Sequence, residues 1–125
     1  MMHVRPYDEL LVTLGGSETG KRAERASAPA QNQSQKPSQS LAEATIPVGA
    51  ATTTHLHHTS QELYLVTDGS GRLVVDGEER AIERGDCALI PPGAVHKVFN
   101  VGAEPLRIVC ACSPPYSDED TQLLE

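Results

Sequence analysis

Residues 49–100 read GAATTTHLHHTSQELYLVTDGSGRLVVDGEERAIERGDCALIPPGAVHKVFN, and their punctuation decides the fold. Short apolar runs alternate with turn residues every 8–12 positions or so, the mark of an all-β sandwich or barrel. Asp76-Gly77 stands between two such runs. Asp-Gly is a strong two-residue hairpin signal, because both turn positions need positive φ. Gly69, Gly71, Gly85, Gly93 and Gly102 punctuate other junctions. The strands expected here are Thr52–His57, Glu62–Thr67, Arg72–Val75, Glu78–Ile82, Cys87–Ile90 and Val95–Asn100. Leu41–Ile46 and Leu106–Cys112 extend the pattern on either side. No stretch shows helical periodicity.

Outside this body the composition changes. Residues 21–40, KRAERASAPAQNQSQKPSQS, have four alanines as their only apolar side chains. Such a stretch cannot bury enough surface to offset its ordering entropy and reads as a flexible polar loop. Before it, Glu9–Leu14 is a short strand candidate followed by a Gly15-Gly16-Ser17 turn. Pro114-Pro115 ends the last strand, since proline donates nothing to a ladder. The domain reading is an N-terminal arm over 1–40, a barrel over 41–113 and an acidic tail over 114–125 running across the surface.

The chain has 125 residues, enough for one domain. Its 17 acidic against 10 basic side chains give a net charge of -7. Of that, -4 falls in residues 41–113 and -4 in the tail, with +1 in residues 1–40. An acidic chain makes a poor nucleic-acid partner, because binding phosphates needs a basic surface. No window approaches the roughly 18 apolar residues of a membrane span, so no membrane partner is expected. Three cysteines without framework spacing speak against a disulfide scaffold. With no secretory pattern near Met1, the expected compartment is the cytoplasm.

The chemistry lies in the histidines. His55-Leu56-His57 places two imidazoles at i and i+2, on one face of a strand. Glu62 opens the next strand and His96 lies in Val95–Asn100. Two strand histidines alone are more often surface or core groups than ligands. Three imidazoles and a carboxylate converging on one point suit a divalent transition metal, with about two octahedral positions left for water, oxygen or substrate.

The spacing around these residues is specific. Gly49-x5-His55-x-His57-x4-Glu62-x6-Gly69 and Gly85-x5-Pro91-x-Gly93-x2-His96-x3-Asn100 place ten residues at fixed intervals, with Ser70 to Arg84 between the two motifs. These resemble both motifs of the cupin superfamily at every specified position. The resemblance covers about Leu41 to Ser113 and is to small single-domain bacterial metal-binding cupins. It implies an all-β double-stranded β-helix, or jelly-roll barrel, with an N-terminal arm. It also implies one divalent metal per chain, drawn from Mn, Fe, Ni, Co, Zn or Cu and held by His55, His57, Glu62 and His96. Ser40–Thr45 and Leu106–Glu125 are similar to segments of uncharacterised bacterial proteins of this family, which brings no activity with it.

The function implied is a metal-dependent enzyme acting on an oxygen-rich metabolite that chelates the metal. Dioxygenase and isomerase chemistry lead, with decarboxylase and lyase behind them. The alternative is a non-catalytic module that binds or senses a metal or small molecule. Glu62 and Tyr64 are the candidate catalytic groups, Tyr64 because it shares the strand face of Glu62. Asn100 is expected to hydrogen-bond rather than ligate. Cys87, Cys110 and Cys112 are expected as small buried hydrophobes, with Cys110 or Cys112 as candidates to line the barrel mouth. His58 and His3 are expected to face solvent. Homodimerisation is expected, because a small barrel has edges to cover.

Overall fold

The computed structural model describes residues 38–125 in full, and of the preceding chain the backbone of three short strands. In chain order the strands are β1 (His3–Pro6), β2 (Glu18–Thr19), β3 (Arg25–Ala26), β4 (Ser40–Ile46), β5 (His55–His57), β6 (Gln61–Asp68), β7 (Ser70–Val75), β8 (Glu78–Glu83), β9 (Asp86–Ile90), β10 (His96–Phe99), β11 (Leu106–Ser113) and β12 (Thr121–Leu123). They form two sheets. The first runs β1-β9-β6-β11-β4-β2, with β3 also on β4; the second runs β12-β5-β10-β7-β8. Among the described residues there is no helix, and none could cross a membrane as one. The turn punctuation predicted an all-β sandwich or barrel, and the two sheets form the double-stranded β-helix that the cupin resemblance implied.

Alternation explains the core. In β7 the burial pattern puts Leu73 and Val75 inside and Arg72 and Val74 toward the surface. Leu73, Leu106 and Ile108 are among the most deeply buried side chains, packed with Ile46, Val66, Ile90 and Val98 between the two sheets. The Asp76-Gly77 hairpin forms as expected. Its residues have φ of 49° and 82°, and it joins Val75 to Glu78 in the β7–β8 pair.

Gly69 has a different constraint. Its φ is +81°, and a Cβ there would sit 2.5 Å from the Pro105 carbonyl oxygen. Gly85, with φ +96°, has open space around the same position. Gly69→Ala should therefore cost more than the left-handed penalty of about 1–2 kcal/mol alone, and Gly85→Ala about that penalty. Paired denaturant titrations check the order, and equal losses would contradict the clash at Gly69.

Three expectations change. The strand read as Thr52–His57 contracts to His55–His57, because the Thr54 N–H donates to the Glu125 carboxylate instead of a ladder carbonyl. Within the stretch read as a polar loop, Arg25–Ala26 pairs with Ala42 and Leu41. Backbone pairing against a strand edge needs no apolar side chain. The acidic tail does not simply cross the surface: Thr121–Leu123 pairs antiparallel with β5, Thr121 opposite His57 and Leu123 opposite His55. Polar residues suit that edge position, where one face meets water. The Glu9–Leu14 candidate lies outside the described residues.

Candidate metal centre

His55 and His96 are direct cross-strand partners on β5 and β10. Their ring centroids lie 4.2 Å apart. His57, two residues on, shares their face, and Glu62 reaches the same point from β6 in the opposite sheet. One side-chain donor atom from each of the four lies within 4.8 Å of every other. The four expected ligands thus converge. His57, Glu62 and His96 are buried, with His96 1% exposed, while His55 stands partly open.

The outer nitrogens of the three rings are all engaged. His55 Nδ1 lies 2.7 Å from the Thr53 carbonyl and His96 Nδ1 2.9 Å from the Ala94 carbonyl. A carbonyl only accepts, so both Nδ1 atoms carry the proton. His57 Nδ1 lies 2.9 Å from Thr121 Oγ1. That hydroxyl donates its own hydrogen to the Ser117 carbonyl at 2.8 Å, so it accepts from His57. In the neutral form each ring would therefore present its Nε2 lone pair inward, the tautomer that partners of this kind set for metal-binding histidines.

Glu62 Oε1 faces these lone pairs, 3.1 Å from His57 Nε2 and 3.3 Å from His96 Nε2. All three atoms are buried and none makes a hydrogen bond. Acceptors packed against an acceptor repel, and buried polar atoms without partners are costly. A divalent cation at their centre would satisfy all of them together. Borderline nitrogen donors with one carboxylate fit a first-row transition ion.

Burial, followed by the imidazole of His96, holds His55 down at about 4 despite the Thr53 carbonyl. Burial by itself would raise the Glu62 carboxyl, but an Nε2 proton on His57 or His96 in the metal-free chain would bond to Glu62 Oε1, and such donors outweigh burial and hold Glu62 at about 2. Both values lie below the ordinary 6.5 and 4.5, so the folded metal-free chain binds fewer protons here than the unfolded one. Its stability should fall with pH, first between about 6.5 and 4 through His55, then between about 4.5 and 2 through Glu62. Urea midpoints of metal-free protein check this, and a midpoint unchanged from pH 7 to 5 would contradict the His55 environment.

A cavity of about 560 Å³ adjoins the cluster. Tyr64 is buried on the Glu62 face, as the strand parity predicted, with its ring 5.9 Å from that of His96. Burial raises its hydroxyl well above 10, so it stays protonated as a donor. Cys110 and Cys112 line the cavity, the sharper of the two readings for them, and burial raises the Cys110 thiol likewise. Asn100 is structural: its Nδ2 donates to the Ile46 and Glu104 carbonyls, each at 2.9 Å. His58 is exposed and Cys87 half-buried, whereas the side chain of His3 lies outside the described residues.

Sequence reasoning missed the C-terminal contributors. Thr121 orients His57, and the Tyr116 ring lies edge-on to it at 5.7 Å. The Asp120 carboxylate accepts from Thr59 N–H at 2.9 Å, Thr59 Oγ1 at 2.8 Å and Ser60 N–H at 3.1 Å. It thereby ties down the loop between the candidate ligands His57 and Glu62. Nothing in local spacing signals contacts between residues 59 to 64 positions apart.

Fold and cluster together define a small β-barrel with a candidate metal centre at its mouth. The family model of the cupin domain matches residues 42–112, and the chain belongs to the cupin family. The uncharacterised protein MJ1618 of Methanocaldococcus jannaschii is 48% identical over 87 residues, covering 70% of each chain. Two solved structures share the fold at 22% identity. A Klebsiella pneumoniae protein with a double-stranded β-helix domain gives a TM-score of 0.67, covering 95% of this chain and 94% of that one. Oxalate decarboxylase of Lactobacillus farciminis, solved as a formate complex, gives 0.69, covering 89% of this chain and 33% of the decarboxylase.

Proposed function

We propose that this cupin is a metal-dependent enzyme acting on a small metabolite whose oxygens chelate the metal. The observation that carries this is the inward set of three Nε2 lone pairs and the Glu62 carboxylate, with every opposing Nδ1 engaged, beside a cavity large enough for a metabolite. A divalent ion held by His55, His57, Glu62 and His96 would act as Lewis acid and template. Glu62, kept ionised, accepts or returns a proton at its carboxylate. Tyr64, kept neutral, donates a hydrogen bond into the cavity from the same strand face. Dioxygenation and isomerisation are the leading reactions, and the oxalate decarboxylase that shares the fold keeps decarboxylation in view.

The protected state of Tyr64 and Cys110 also supports a second reading. Two groups held neutral make poor proton shuttles and suit a module that only binds. Turnover assays separate the two. Protein loaded singly with manganese, iron, nickel, cobalt, zinc or copper is offered catechols, enediols, diketones, sugar aldoses and dicarboxylates, with oxygen uptake and product analysis as readouts. Turnover by one metal form, with loss in Tyr64→Phe, supports the enzyme. Tight binding without turnover by any form supports the module.

A further inference from the structure

The floor of the cavity is a grid set by strand register. Across β4, β11 and β6 the successive rows are Ser40–Cys112–Glu62, Ala42–Cys110–Tyr64 and Ala44–Ile108–Val66, of which Ile108 and Val66 pack in the core and do not line the cavity. The first row ends at the Glu62 carboxylate. The second and third lead away from it and are apolar apart from the tips of Tyr64 and Cys110. Ala42 and Ala44 are small side chains on strand positions, and they leave the floor open. Ala51 keeps the facing wall open in the same way, and Ile46 and Leu123 add apolar surface. The resulting space of about 560 Å³ falls within the roughly 300–1,000 Å³ of pockets for drug-sized molecules.

The ionisable carboxylates and imidazoles are gathered at one end, where Tyr116 and Thr121 meet His57 and Tyr116 holds Asp118. The lining that runs away from it is apolar apart from Thr52, Thr53 and the tips of Tyr64 and Cys110, and Thr52 Oγ1 is engaged by the Val98 N–H. From this polarity we infer that the ligand of this site joins an oxygen-bearing chelating head, at the histidines and Glu62, to a mainly apolar body of about one aromatic ring lying over Ala42, Cys110 and Ala44. The inference rests on the metal reading above and narrows its substrate class. Burying an apolar body on this floor gains hydrophobic free energy, whereas a second charged group there would lose its hydration.

Two probes share one chelating head and differ in body: acetohydroxamate and benzohydroxamate. The full chain is loaded with cobalt(II), its metal content is measured, and each probe is titrated against the visible cobalt spectrum. Corrected for their affinities for free cobalt, benzohydroxamate should bind about tenfold more tightly or better. Ala42→Leu should pull that ratio toward one by filling the floor. Ala51→Leu, at an exposed position, should do so from the opposite wall. Cobalt uptake with a wild-type ratio near one, or a ratio that neither variant changes, would overturn this inference alone. A chain that takes up no cobalt would overturn the metal reading and this inference with it.

Discussion

His57→Ala should leave the purified protein nearly free of metal. Wild-type protein purified without added metal is expected to carry close to one ion per chain. His57 supplies one of four donors and its Nε2 faces Glu62 Oε1 at 3.1 Å. Loss of a partner behind a ligand costs about 10–100-fold in metal affinity, and loss of the ligand itself should exceed that. The variant keeps the fold but gives up the stabilisation that metal binding adds to the native state. Its thermal midpoint should therefore match that of chelator-treated wild type and stop responding to added metal. Elemental analysis and thermal melts with and without chelator check both parts. Full metal content in His57→Ala would remove His57 from the site.

A chain ending at Tyr116 should lose both metal affinity and stability. Residues 117–125 carry the Asp120 carboxylate that accepts three hydrogen bonds from Thr59 and Ser60, and the β12 backbone that pairs with β5. They also carry the Thr121 hydroxyl that sets the tautomer of His57. Removing them frees an edge beside two ligand-bearing histidines and unties the loop that leads to Glu62. Each such hydrogen bond contributes about 1 kcal/mol net, so the loss should reach several kcal/mol. The point variant Thr121→Val separates orientation from stability. It should weaken metal binding by about 10–100-fold while shifting the thermal midpoint little. Competition with a chromogenic chelator gives the first quantity and melts give the second. A truncated chain with wild-type metal affinity would contradict the role given to this segment.

The contrast between these two predictions shows what could be read along the chain. His55 and His57 share a face because strand parity is local, and Glu62 with Tyr64 follows the same rule. The Asp76-Gly77 hairpin and Gly85 are likewise visible in isolation, since positive φ is a property of a single residue. Gly69 is only half visible. Its turn could be read, but the Pro105 carbonyl that forbids a Cβ arrives from a distant loop. Thr121 and Asp120 carried no signal, because a threonine and an aspartate in a polar tail look like any solvated surface. What makes them important is the partner strand.

The sequence by itself determined most of the barrel strands and their inward faces, because these depend on two-residue periodicity and on turns that only certain residues allow, while the resemblance in motif spacing named the four candidate donors. Tertiary structure alone decided that Glu62 crosses from one sheet to meet histidines of the other. It alone decided that all three Nδ1 atoms are engaged, and that the acidic C-terminal residues close the wall of the site. Those outcomes depend on sheet pairing and barrel closure, which bring together residues 34 to 68 positions apart through backbone hydrogen bonds that any side chain permits.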